Sequence, residues 1–204
     1  MAIEITATPF ADFIAASGAA RITVVKNTKN RFMSPYDPAQ DYWKSFRDEF
    51  IDILQTRRPI GDLHKFIKSG NVHSKKMHNY RRAADGAKKC LGRKKISLLP
   101  ISAAPWTHGD LTVKVNPEIA ALVNGRPYVI KFWLRAGDKV TKNRIDPLLY
   151  LLDLTHGSGA ANNATVAVLD VVRSNLITPT RMIPNMDALL RGEAASFSTI
   201  WPTV

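Results

Sequence analysis

LTVKVNPEIAALVNGRPYVIKFWL, residues 111–134, decides how the second half of this chain folds. Leu111 to Val115 alternates apolar and polar side chains, the period of a strand with one buried face. Asn116-Pro117 interrupts that strand. Ile119 to Val123 and Tyr128 to Leu134 then flank Asn124-Gly125-Arg126-Pro127. An Asn-Gly pair between apolar runs marks a tight hairpin, because both central residues of such a turn take positive φ. Downstream, Asp146-Pro147 caps a short apolar helix, Leu148 to Leu154, that Gly157 can end. Thr165 to Val172 is a β-branched run suited to a buried strand. A last helix starts after Asn185 and leaves a tail containing Trp201. Residues 96–204 therefore read as an α/β sheet region.

Upstream the period becomes helical. Thr8-Pro9 reads as an N-cap and first-turn proline, with Phe10, Phe13 and Ile14 as an apolar stripe and Gly18 as the stop. Arg21 to Lys26 reads as a short strand and Asn27 to Tyr36 as a loop. Asp37-Pro38 opens a core helix in which Trp43, Phe46, Phe50, Ile53 and Leu54 recur at helical spacing down to about Thr56. A short helical stretch near Leu63 to Lys68 and a Ser-Gly-Asn break at 69–71 precede a longer helix, Ser74 to Leu91. Its residues Met77, Tyr80, Ala84, Ala87 and Leu91 form one stripe, and Asp85-Gly86 is a place where it can bend or end. The whole, 1–204, reads as a single α/β domain, with a mainly helical region 1–95 packed on a small mixed sheet.

Net charge is concentrated in one segment. The chain carries +12, and from Arg57 to Lys95 thirteen Lys/Arg face two acids, Asp62 and Asp85, which accounts for +11 of it. Outside that window sixteen basic residues face fifteen acids. A general solubility bias would have spread the excess, so the segment points to a polyanionic partner. No run approaches the about 18 consecutive apolar residues that a membrane span needs. The first residues include Glu4 and Asp12 and lack the basic start of a signal peptide. A single cysteine, Cys90, excludes an intramolecular disulfide framework and makes a reducing cytoplasm the default.

The basic helix is the candidate interface. A helix with an apolar stripe on one side can dock on the protein and lay cations along phosphates on the other. Such contacts give affinity without sequence selectivity. The candidate nucleic-acid-binding residues are Lys75, Lys76, Arg81, Arg82, Lys88, Lys89, Arg93, Lys94 and Lys95, with Tyr80 as a stacking ring. His64, His73 and His78 can add stacking or hydrogen bonds. DNA and RNA are both open, and an acidic protein partner or an anionic membrane surface is the alternative docking target. The 124–125 turn is expected to lie far from this face.

The order helix 74–91, strands 111–115, 119–123 and 128–134, helix 147–155, strand 165–172 resembles the αβββαβ core of the restriction-endonuclease-like, PD-(D/E)xK, nuclease superfamily. That family sets an acid on its second core strand and an acid-any-Lys triplet on the third. Two carboxylates hold Mg²⁺ and the lysine steadies the attacking water. What the resemblance implies here is a catalytic lysine at Lys131, with Asp110 and Glu118 as the upstream acids and metal ligands. Val129 stands where the triplet's acid belongs. The second functional reading is thus a metal-dependent nuclease using Mg²⁺, and a pure binder needs no cofactor. The plainer reading of Lys131 is an edge-strand or outward-facing lysine.

Other combinations carry less. His73, His78 and Cys90 lack paired cysteines and match no standard zinc spacing. Cys90 and His108 make a nucleophile and base only if folding joins them. Gly157 to Asn163 follows a helix and precedes a strand, the reverse of a phosphate cradle, and reads as a flexible connection. His108-Gly109-Asp110 reads as a turn.

Overall fold

The computed structural model describes residues 2–35, 41–70, 72–135, 137, 140–157, 163–179 and 183–204. The chain runs β1 (Ile3–Thr6), α1 (Ala7–Ala15), α2 (Ala19–Met33), α3 (Lys44–Gln55), α4 (Leu63–Lys68) and α5 (Ser74–Leu91). Five strands follow: β2 (Ile96–Leu99), β3 (Ala104–His108), β4 (Leu111–Val115), β5 (Ile119–Val123) and β6 (Arg126–Trp133). Then come α6 (Lys142–His156), β7 (Thr165–Asp170), β8 (Asn175–Ile177) and α7 (Met186–Ile200). The fold is α/β. No helix among the described residues is long and apolar enough to cross a membrane.

A five-stranded sheet in the order β2-β5-β6-β7-β8 divides the molecule. β6 and β7 are parallel, joined over one face by α6, and the other neighbours are antiparallel. The β5–β6 hairpin closes on Asn124 and Gly125, at φ 51° and 81°, with Val123 opposite Arg126. This is the two-residue turn that the Asn-Gly pair requires. Side chains alternate across the sheet. Val129, Trp133, Val166 and Val168 join a core with α1, α6, α7 and a three-stranded sheet, β1-β4-β3. Ile130, Phe132, Ala167 and Leu169 join a second core with α3, α4 and α5, where Phe50 stacks on Phe132 at 5.0 Å.

Several expectations give way. Leu111–Val115 is a strand but pairs with β1 and β3, so there are two sheets where one is expected. The strand that pairs with β5 at this end of the five-stranded sheet is β2, a four-residue segment that is not among the expected strands. Arg21–Lys26 is not a strand, nor Asn27–Met33 a loop, for both belong to α2. The β-branched run 22–25 suggests a strand, but tertiary contacts override propensity. Val25 and Thr28 turn into the core, and Arg21 lies over the Phe13 ring and pairs with Glu193. α6 starts about one and a half turns earlier than Asp146-Pro147 suggests, and accommodates Pro147 inside it. The proposed opening Asp37-Pro38, Asn71 of the 69–71 break, and residues 158–162 of the glycine-bearing connection lie outside the described residues.

Candidate nucleic-acid interface

α5 forms over the predicted span. His73 caps it by accepting the Lys75 backbone N–H at Nδ1, 3.2 Å. Its inner side buries Tyr80, Ala83, Ala84, Ala87 and Leu91. Gly86 does not break it. That residue is buried against the turn after β7, where a Cβ would overlap the Val171 carbonyl oxygen. Glycine is there to let two backbones approach, a role invisible in the local sequence.

Tyr80 does not belong to the interface. It is fully buried, stacked on Trp43 at 5.2 Å, and its hydroxyl donates to the Tyr42 carbonyl at 2.6 Å. Burial pushes that hydroxyl's pKa up, opposed by its hydrogen bond with Ser45. The apolar stripe that includes Tyr80 is the correct signal, and a residue in the stripe cannot also stack on a base.

The cations take the outer arc. Lys75, Arg81, Arg82, Lys88 and Lys89 are exposed on α5, and Arg93, Lys94 and Lys95 on the turn after it. None of these eight forms a salt bridge among the described residues. On a helix of ~100° per residue, Lys75, Arg82 and Lys89 form one row, with charges about 10 Å apart, and Arg81 and Lys88 form another. Between the rows lie His78 and Asp85, and Asp85 is met by His64 of α4 at 3.1 Å. At the end of the helix Asp85, Lys88, Lys89, Gly92 and Arg93 line a cleft of 500 Å³. Lys76 is half-buried, its ammonium 5.2 Å above the Tyr42 ring. Arg58 and Lys65 of the basic segment are engaged by Glu49, Asp52 and Asp62.

The hairpin turn is not far away. The Asn124 side chain accepts the Lys95 N–H at 2.9 Å, and the Lys95 carbonyl accepts the Asn124 N–H at 2.8 Å. The turn therefore fixes the end of the basic segment, a link between residues 29 positions apart that no spacing rule could reveal.

Of the three residues implied by the nuclease resemblance, two meet. Lys131 is 4% exposed on the central strand β6, so it is neither an edge nor an outward-facing lysine. Its Nζ donates to the Asn116 carbonyl at 2.8 Å and lies 3.3 Å from Glu118 Oε1. Glu118 Oε2 accepts the Phe132 N–H at 2.6 Å, at the place where β5 no longer offers a backbone partner. Asp110 is exposed at the far end of β4, about 20 Å of strand away from Asn116. Alternation also sends Lys131 to the opposite face of the sheet from α5.

No three His, Cys, Asp or Glu side chains that could hold a metal ion come together among the described residues. His73 and Cys90 lie near opposite ends of α5, about 25 Å apart. Cys90 packs on the α5 side of the sheet while His108 ends β3 in the other sheet. Burial pushes the Cys90 thiol's pKa up, with Lys94 pulling the other way. Gly109, at φ 56°, makes a two-residue turn with Asp110. Compared with known proteins, the chain matches no family model, no curated protein and no solved structure.

Proposed function

We propose that this protein binds nucleic acid through the phosphate backbone, using the outer arc of α5 and the turn that follows. One observation carries the reading: eight exposed cations on α5 and the turn that follows it, none in a salt bridge among the described residues. Like charges gathered on a rigid helix repel one another, and a polyanion relieves that repulsion while releasing its own counterions. The single half-buried cysteine fits a reducing cytoplasm.

Fluorescence anisotropy with a labelled duplex and a labelled single strand tests it. Affinity should fall steeply with salt. A variant with Lys75, Arg81, Arg82, Lys88 and Lys89 changed to Gln should give a shallower log K against log salt slope, by up to about 0.9 per lost phosphate contact on duplex DNA. Equal affinity and slope in variant and parent would defeat the proposal. Preference for an acidic polypeptide over both nucleic acids would favour a protein partner.

A metal-dependent nuclease is the second reading, favoured by the meeting of Glu118 with Lys131 and by the α5-β2-β5-β6-α6-β7 order. Against it stand Val129 and the use of both Glu118 oxygens within the sheet. Mg²⁺ sheds water reluctantly and needs carboxylates to hold it. No cleavage of plasmid or single-stranded DNA is expected with Mg²⁺ or Mn²⁺. Cleavage that disappears in both Glu118→Gln and Lys131→Ala, with folding retained, would make the nuclease the function.

A further inference from the structure

Across the sheet from α5, a crevice of 810 Å³ opens between α6 and the edge strand β8 and reaches Asp170 at the carboxyl end of the parallel strand β7. Open α/β sheets bind ligands at that position, and the volume suits a small molecule. Ile145, Leu149, Ile177 and Met186 supply apolar walls. Three carboxylates share the lining, and they differ in what answers them. Asp170 is 1% exposed and satisfied, since Oδ1 accepts the Arg173 N–H at 3.1 Å and Oδ2 lies 3.1 Å from Arg173 Nη1. Asp146 and Asp153 are half-buried, and neither has a salt bridge or hydrogen bond among the described residues.

These two carboxylates are placed for a ligand with two ends. They stand seven residues apart on the same side of α6, about 10 Å along its axis, with Leu149 and Tyr150 between them. Gly157 keeps Asp153 in position, because a Cβ there would overlap the Asp153 carboxylate. Lys142 and Arg173 also line the crevice, but Arg173 is taken by Asp170 and Lys142 is exposed, so an anionic ligand would meet Asp146 and Asp153 with one exposed cation to offset them. A purely apolar one would bury them without compensation, which is costly. A bare metal ion finds no cluster of ligands among the described residues.

We propose that the crevice binds a linear organic diamine or polyamine, its ammonium groups on Asp146 and Asp153 and its aliphatic body against Ile145, Leu149 and Ile177. Flexible ammonium chains suit this frame because each end meets a carboxylate while the methylenes displace water from apolar walls. The site is separated from the α5 arc by the full thickness of the sheet, so it stands whether or not nucleic acid binds there.

Calorimetric titration of the full chain with spermidine at low ionic strength tests this, with the dicarboxylate pimelate as the oppositely charged probe. Spermidine should bind saturably, one per chain, and pimelate should not bind. Asp146→Asn and Asp153→Asn, near-isosteric changes whose folding a thermal melt checks, should each weaken spermidine by about tenfold or more. Gly157→Ala, which displaces the Asp153 carboxylate without removing its charge, should weaken it too. Absence of saturable spermidine binding overturns the proposal. So does binding unchanged by both Asn variants, or pimelate bound as tightly as spermidine.

Discussion

On one side of the five-stranded sheet, α5 and the turn after it hold eight cations with no acidic partner among the described residues. On the other, α6 holds Asp146 and Asp153 with no basic one. The layers also differ in how charge relates to the fold. On the α5 side the ammonium and guanidinium groups stand in water above an aromatic core built of Trp43, Phe46, Phe50 and Tyr80, so charge can be removed without touching the packing. On the α6 side a charge is inside. Lys131 lies among Val129, Trp133 and Val168, and its compensation comes from Asn116 and Glu118. The lesson is that the lysine most conspicuous in an apolar strand is engaged in packing and pairing within the sheet, while the ordinary-looking exposed ones are left without acidic partners among the described residues.

The largest expected effect sharpens this contrast. The five-residue Gln variant of α5 should lose on the order of a thousandfold in nucleic-acid affinity at low salt while keeping its melting temperature. Changing Lys26, Lys114 and Arg191, exposed elsewhere, should cost far less. Comparable losses from the two sets would break the assignment of binding to one face.

Next in size, Lys131→Met should destabilise by about 3 kcal/mol in urea unfolding, because it leaves a mostly buried Glu118 carboxylate short of its cation. Pairing it with Glu118→Gln should cost less than the sum of the two single changes. Simple additivity would mean that the two side chains act independently. Gly86→Ala should destabilise by about 2 kcal/mol, although alanine is the better helix former, because the new Cβ meets the Val171 carbonyl and not water. A stabilised variant would place α5 farther from the sheet. Smallest, Gly125→Val should cost about 1 kcal/mol through strain at positive φ. An unchanged melt would move the turn.

The sequence was legible where one local rule acts alone. The alternation of 111–115, the apolar run 119–123 before the Asn-Gly turn, the stripe of 74–91 and Asn185 before the last helix all agree with the structure. It was illegible where distant partners decide. α2 is a helix despite Ile22, Thr23, Val24 and Val25, because its anchors are Phe13 of α1 and Glu193 of α7. β1 has no signature beyond Ile3 and Ile5, since it needs β4 to exist. For the interface, the clustering of charge was plain at once, while the exclusion of Tyr80 required knowing which neighbours fill its surroundings. Likewise Glu118 and Lys131 were found by analogy with a motif, but their commitment to the sheet came from hydrogen bonds that no spacing encodes.

The clamp between Asn124 and Lys95 has a consequence in time. A side-chain amide followed by glycine is chemically perishable. Deamidation loses ammonia through a cyclic imide that water reopens to aspartate or isoaspartate. The aspartate product keeps the backbone and a carboxylate that can still accept the Lys95 N–H, whereas isoaspartate lengthens the turn by one carbon. The change would set a new negative charge beside Lys95, at the end of the basic segment. Fresh protein and its aspartate product would then share one fold, and the more acidic form separating on ion exchange is predicted to be the weaker binder of a polyanion.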